Sequence, residues 1–124
     1  KLIGSYESEL HPVVKAALNT PYETVVDVGS AEGYYAVGFA LRMEHPARIY
    51  AFDVNPEARA LCEQLATLNA VRDRVNLEAF CDGERLQNTL VGKSLVICDC
   101  EGYETELLNP ATVPVLRQAD ILVE

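Results

Sequence analysis

Five consecutive residues, Thr24 to Val28 (TVVDV), set the first constraint on this chain. They are strand formers with no polar alternation, so they fit a strand covered on both faces. Strands of that kind belong to parallel sheets, and each parallel pair needs a long crossover, usually a helix. The one acid in the run is Asp27, and a carboxylate in a buried strand is costly unless it has partners. Gly29 and Gly33 bracket the short turn (GSAEG) that follows.

The rest of the chain keeps this rhythm. Glu7 to Leu18 places Leu10, Val13, Val14, Ala17 and Leu18 at helical spacing, and Pro21 ends it. After the first strand, Glu32 to Arg42 predicts a helix with Pro46 beyond it, and Arg48 to Asp53 (RIYAFD) a second strand. Asn55 is a cap for the helix that Pro56 opens, and Asn69 is its stop. Val75 to Phe80 predicts a third strand, Glu84 to Leu90 a short helix closed by Gly92, and Ser94 to Asp99 a fourth strand. Short helical turns follow at Glu104–Leu108 and Val113–Gln118, and Ile121 to Glu124 is a fifth strand. Strand and helix alternating at this spacing predict one α/β domain. Its Rossmann-like parallel sheet has right-handed crossovers and helices on both faces. Residues 1–20 carry an N-terminal helix and residues 21–124 the core.

Open sheets of this class bind ligands at the carboxyl ends of their strands, near the point where strand order reverses. The segments to examine are therefore Asp27 to Gly33, Asp53, Cys81-Asp82, and Asp99 to Glu104. Read as the dinucleotide fingerprint G-x-G-x-x-G, the first turn offers Gly29, Ala31 and Tyr34, so two of the three positions fail. Asp27 and Glu32 would also repel a pyrophosphate. S-adenosyl-L-methionine has no phosphate; it carries an ammonium, a sulfonium, a carboxylate and an adenosine. An acidic turn suits its cations, and helix amides suit its carboxylate. Asp27, Gly29, Ser30 and Gly33 are thus candidates for holding it. Asp27 either accepts the turn's own amides or meets the ligand ammonium, directly or through water. Asp53 is placed to accept ribose hydroxyls, with helix capping beside Asn55-Pro56 as the alternative. Asp82 is placed to take the adenine amino group or to serve as a turn aspartate before Gly83.

Composition narrows the partners. The formal charge is −9, from 19 acidic and 10 basic residues, which argues against a nucleic-acid backbone. No apolar run approaches the ~20 residues of a membrane span, and no basic-then-apolar leader opens the sequence, so no membrane partner is expected. The four cysteines, Cys62, Cys81, Cys98 and Cys100, form no C-x-x-C pair and sit among apolar residues. They read as reduced buried thiols of a cytoplasmic protein. Cys98 and Cys100 would share a strand face but lack a second pair to complete a metal site, so no metal is expected.

The stretch ICDCEGYETELL carries D-x-E-G-x-E at Asp99, Glu101, Gly102 and Glu104. Together with VVDVGSAEGYYAV and AFDVNP, it resembles the FkbM family of class I S-adenosylmethionine-dependent methyltransferases. The resemblance also takes in GSYESELHP and ADILVE, and so covers nearly the whole chain. Phe-Glu-Pro-Asn-Pro is commoner in the family at the second strand; Asp53-Val54 departs from that pattern and keeps the acid. The resemblance implies methyl transfer to a hydroxyl of a sugar, polyketide or other small molecule. Such an acceptor needs its proton removed, which invites a general base. Asp99 and Glu101 are the expected catalytic pair, with His11 as a further candidate or simply a solvated residue. The alternative for Glu101 and Glu104 is to anchor the turn through backbone amides, or to accept from acceptor hydroxyls. Tyr6, Glu7, His11, Tyr34 and Glu104 are expected on the acceptor rim, and Tyr6, Tyr34 and Tyr35 offer rings to the cationic methyl group. Class I members usually continue past the fifth strand to a helix and two more strands. An apolar strand at Ile121 to Glu124 without them is an open edge. The expectation is a cofactor-binding part of a longer domain that lacks its C-terminal strands. A nicotinamide-dependent oxidoreductase and a non-catalytic module on the same sheet are the competing classes.

Overall fold

A computed structural model describes residues 15–29, 34–43, 47–99 and 103–123. Five strands form one sheet: β1 (Thr24–Val28), β2 (Arg48–Phe52), β3 (Val75–Glu78), β4 (Ser94–Cys98) and β5 (Asp120–Val123). Their order is β3-β2-β1-β4-β5, and every pair is parallel. Helical residues 15–18 (α1) precede β1. Tyr34–Arg42 (α2) and Pro56–Leu68 (α3) connect the next strands, followed by Gly83–Thr89 (α4) and the short Glu104–Leu107 (α5).

β1 and β4 are buried along their whole length, which explains why neither alternates between apolar and polar residues. Val25 stands opposite Ile49 and Leu95, and Asp27 opposite Ala51 and Ile97. Val25, Ile49, Ala51, Leu95 and Ile97 pack on Ala36, Val37, Phe39 and Ala40 of α2 and on Cys62 and Ala66 of α3. On the other face, Val26, Val28, Phe52, Val96 and Cys98 pack on Leu86, Leu107, Val113 and Leu116. The expected sheet with helices on both faces is therefore what the chain forms. Burial of a large aliphatic side chain contributes roughly 1.5–3 kcal/mol, so these two layers hold the strand ends in register.

Several boundaries differ from the sequence reading. β2 stops at Phe52, β3 at Glu78 and β4 at Cys98, so Asp53, Phe80 and Asp99 leave the strands instead of ending them. Pro56 opens α3 and the Asn55 side chain accepts the Glu57 amide at 2.9 Å, the cap expected from those residues. At the other end Asn69 caps α3 with φ −99°, and the left-handed residue is Ala70, with φ 60°. Gly92 does not close α4, whose cap is Leu90; with φ 69° it shapes the turn into β4. A 3₁₀ turn at Arg72–Arg74 has no counterpart in the sequence reading, and a second at Pro114–Gln118 takes the place of the expected helical turn. Residues 7–14 of the predicted first helix and the start of the second, at Glu32, lie outside the described residues.

Candidate functional site

The site begins with a backbone pattern. The residue after each of three strands donates its amide to the last carbonyl of a neighbouring strand. Gly29 donates to Phe52 at 2.8 Å, Asp53 to Glu78 at 3.0 Å and Asp99 to Val28 at 3.0 Å. Each residue is thus anchored by its main chain at the carboxyl edge of the sheet, and the side chains of Asp53 and Asp99 depart from fixed points. Gly29 has φ 78°, a conformation that L side chains rarely adopt.

These three residues line one cleft of about 520 Å³, together with Val28, Phe52, Val54, Ala79, Phe80, Cys81 and Tyr103. That volume falls within the roughly 300–1,000 Å³ of small-molecule and cofactor sites. β1 leads to β2 on one side, and β4 lies on the other, so the cleft straddles the point where strand order reverses. Its described walls carry two carboxylates and no lysine or arginine. Val54 and Phe80, 67% and 56% exposed, give it apolar surface that nothing in the described core covers.

Asp53 Oδ1 accepts the Asn55 amide at 2.9 Å, and Arg59 Nη1 donates to the Asp53 carbonyl at 2.8 Å. The turn after β2 is therefore fixed from both sides. Asp27 is buried within β1, on the face that carries α2 and α3, and is not among the described walls of the cleft. It faces α3 closely enough to act on Cys62: burial pushes that thiol up to about 11, with the Asp27 carboxylate adding to the effect. Asp82 Oδ1 accepts the Arg85 amide at 2.8 Å and caps α4; it too is absent from the described walls. Of the residues singled out in the sequence, the cleft therefore unites Gly29, Asp53, Cys81 and Asp99. Ser30, Gly33 and Glu101 lie outside the described residues, as do Tyr6, Glu7 and His11; Tyr34 and Glu104 open α2 and α5 without described side chains. Cys62, Cys81 and Cys98 are buried and are not joined in disulfides.

The sequence reading gives no site role to Phe80 or Val54, nor to Tyr103 within the segment Asp99 to Glu104, yet all three are walls. Phe80 lies two residues past β3 and reads from the sequence as the last residue of that strand. Tyr103 belongs to the D-x-E-G-x-E stretch, but its hydroxyl donates to the Cys81 carbonyl at 3.2 Å, a partner no local pattern reveals. The wall at Ala79–Cys81 is also held from below. Arg85 binds Glu78 through both carboxylate oxygens, with its Nε 2.9 Å from Oε1.

No protein-family model matches the chain, and no curated protein sequence matches it. Solved structures do. A S-adenosylmethionine-dependent methyltransferase from Geobacter sulfurreducens in complex with S-adenosyl-L-homocysteine aligns with TM-score 0.65 and 19% identity, over 94% of this chain and 47% of that one. A precorrin-6y C5,15-methyltransferase from Geobacter metallireducens aligns with TM-score 0.68 and 18% identity, over 99% and 64%. An RNA methyltransferase from Salinibacter ruber, also with S-adenosyl-L-homocysteine, aligns with TM-score 0.61 and 18% identity, over 90% and 73%. This chain thus has the fold of class I methyltransferases, and spans about half to two thirds of the first two of these proteins. Among the described residues, no helix is long and apolar enough to cross a membrane.

Proposed function

We propose that this chain binds S-adenosyl-L-methionine and serves methyl transfer to a hydroxyl of a small molecule. The observation that carries the cofactor reading is the chemistry of the cleft. It offers carboxylates, a glycine turn and exposed apolar side chains, and no basic group among its described walls. A phosphate-bearing dinucleotide would meet Asp53 and Asp99 without a compensating cation; an adenosine with a cationic tail would not. Solved methyltransferases of this fold with S-adenosyl-L-homocysteine bound support the same reading.

Asp53 accepts the ribose hydroxyls. A carboxylate has about four lone-pair sites, so holding the Asn55 turn is compatible with that role. Val54 and Phe80 flank the base. Gly29 lets the backbone approach the ligand, and Asp27 supports that turn from within β1. When bound, the cofactor supplies a methyl group on a positive sulfur, activated for in-line displacement. Asp99 then orients the acceptor hydroxyl and takes its proton, with Glu101 as its partner from the D-x-E-G-x-E resemblance. That same FkbM resemblance supports a sugar, polyketide or similar acceptor, and buried cysteines outside disulfides support a cytoplasmic setting.

Calorimetry with S-adenosyl-L-homocysteine and with NAD, side by side, tests the cofactor reading. Binding of the first and not the second is expected; the reverse result overturns it. Release of S-adenosyl-L-homocysteine across a panel of hydroxyl acceptors then separates an enzyme from a binding module.

A further inference from the structure

Tyr103 joins two loops that lie far apart in sequence. Its hydroxyl donates to the Cys81 carbonyl at 3.2 Å, and its ring centroid lies 5.6 Å from that of Phe80, tilted by 36°. Both contacts reach the segment between β3 and α4. That segment is fastened at its ends, where Arg85 grips Glu78 and Asp82 caps α4. Tyr103 reaches its middle, from the loop after β4. The ring it touches, Phe80, is an aromatic wall residue that is 56% exposed.

We infer that Tyr103 is a positioning residue for the base of the bound nucleoside. It holds Phe80 and the Cys81 backbone in their bound arrangement before any ligand arrives, and thereby makes the loop after β4 part of the cofactor site. The physical reason is preorganisation: an aromatic wall already held in place loses less rotamer freedom when the ligand binds. Removing the hydroxyl frees the Cys81 carbonyl from one partner, and removing the ring lets Phe80 move. The inference rests on the cleft's reading as an S-adenosyl-L-methionine site.

The test compares the wild-type chain with Tyr103→Phe and Tyr103→Ala. Calorimetry uses S-adenosyl-L-homocysteine and 5′-methylthioadenosine, which share the base and differ in the tail. Tyr103→Phe should weaken both ligands about threefold and Tyr103→Ala roughly tenfold, by the same factor for each ligand. Hydrogen exchange of the ligand-free protein should speed up at residues 79–82 in both variants, while the thermal midpoint of Tyr103→Phe stays near wild type. Wild-type binding of S-adenosyl-L-homocysteine with unchanged affinity in both variants overturns the inference and leaves the cofactor reading intact. So does weakening confined to the ligand that carries the tail. A wild-type chain that binds neither ligand overturns the cofactor reading, and the inference with it. Tyr103→Phe alone decides the matter if Tyr103→Ala does not fold.

Discussion

Tyr22 Oη donates to Asp120 Oδ2 at 2.5 Å, fastening the approach to β1 to the first residue of the edge strand β5. Ninety-eight positions separate the two residues, so the bond exists only in the folded chain. Burial, then the Asp120 carboxylate, pushes the Tyr22 hydroxyl from 10.0 up to about 12. Below pH 10 the tyrosine is neutral in both folded and unfolded chains, and the bond contributes in full. Between pH 10 and 12 the unfolded chain loses this proton while the folded chain keeps it, so the contribution is lost as pH rises. Tyr22→Phe should cost about 1 kcal/mol at pH 7, since the exposed Asp120 can rehydrate. The gap to wild type should close between pH 10 and 12. Urea titrations of both proteins across that range measure it; a gap that does not narrow refutes the account.

Asp53→Asn keeps an oxygen for the Asn55 amide and removes the charge from the cleft. Charge-assisted hydrogen bonds contribute about 1.5–3 kcal/mol each, so S-adenosyl-L-homocysteine should bind at least tenfold more weakly. The thermal midpoint should move little. A lowered midpoint with unchanged affinity would show that Asp53 serves only the turn after β2.

Arg85 offers a second, structural test near the cleft. It meets Glu78 with two nitrogens, and its guanidinium lies 5.8 Å from the centre of the Tyr50 ring. Lysine can reproduce neither the fork nor the planar stacking. Both charged partners are substantially exposed, at 41% and 32%, which limits the value of the pair. Arg85→Lys should cost about 1 kcal/mol, and 1 M salt should reduce the difference. Equal denaturation midpoints at low salt would contradict this.

Ala70 holds a left-handed conformation, with φ 60°, directly after the α3 cap. A non-glycine residue there costs about 1–2 kcal/mol. Glycine loses roughly 0.4–1 kcal/mol through its freer unfolded chain. Ala70→Gly should therefore stabilise the protein by about 0.5–1 kcal/mol, seen as a rise of a few degrees in the thermal midpoint. A fall in the midpoint would mean that the turn relaxes in solution.

The sheet was legible because its information is local. TVVDV reads as a strand buried on both faces and SLVIC as a strand from their own residues, and Asn55-Pro56 names its own helix start. The acids at the strand ends were legible for a related reason: an acid where an apolar strand stops is visible without knowing what surrounds it. Asp82 shows the limit of that logic, because capping and base recognition ask for the same residue in the same place, and its side chain is on the Arg85 amide. Tyr103 and the Arg85–Glu78 pair were not legible. Their partners are set by how α4 and the loop after β4 come to rest on the sheet, and nothing in the neighbouring sequence encodes that.

The walls of the cleft come from the ends of β1, β2, β3 and β4, segments spread from Val28 to Tyr103. A ligand seated there touches all four only when the sheet is assembled, so it acts as a reversible cross-link between distant parts of the chain. At a hundred times its Kd such a ligand would add about 2.7 kcal/mol to global stability. β5 contributes no described wall, and two of its side chains, Ile121 and Val123, are 43% and 46% exposed. Saturating ligand should therefore protect the first four strands and leave the fifth to its pairing with β4 and to the Tyr22–Asp120 bond.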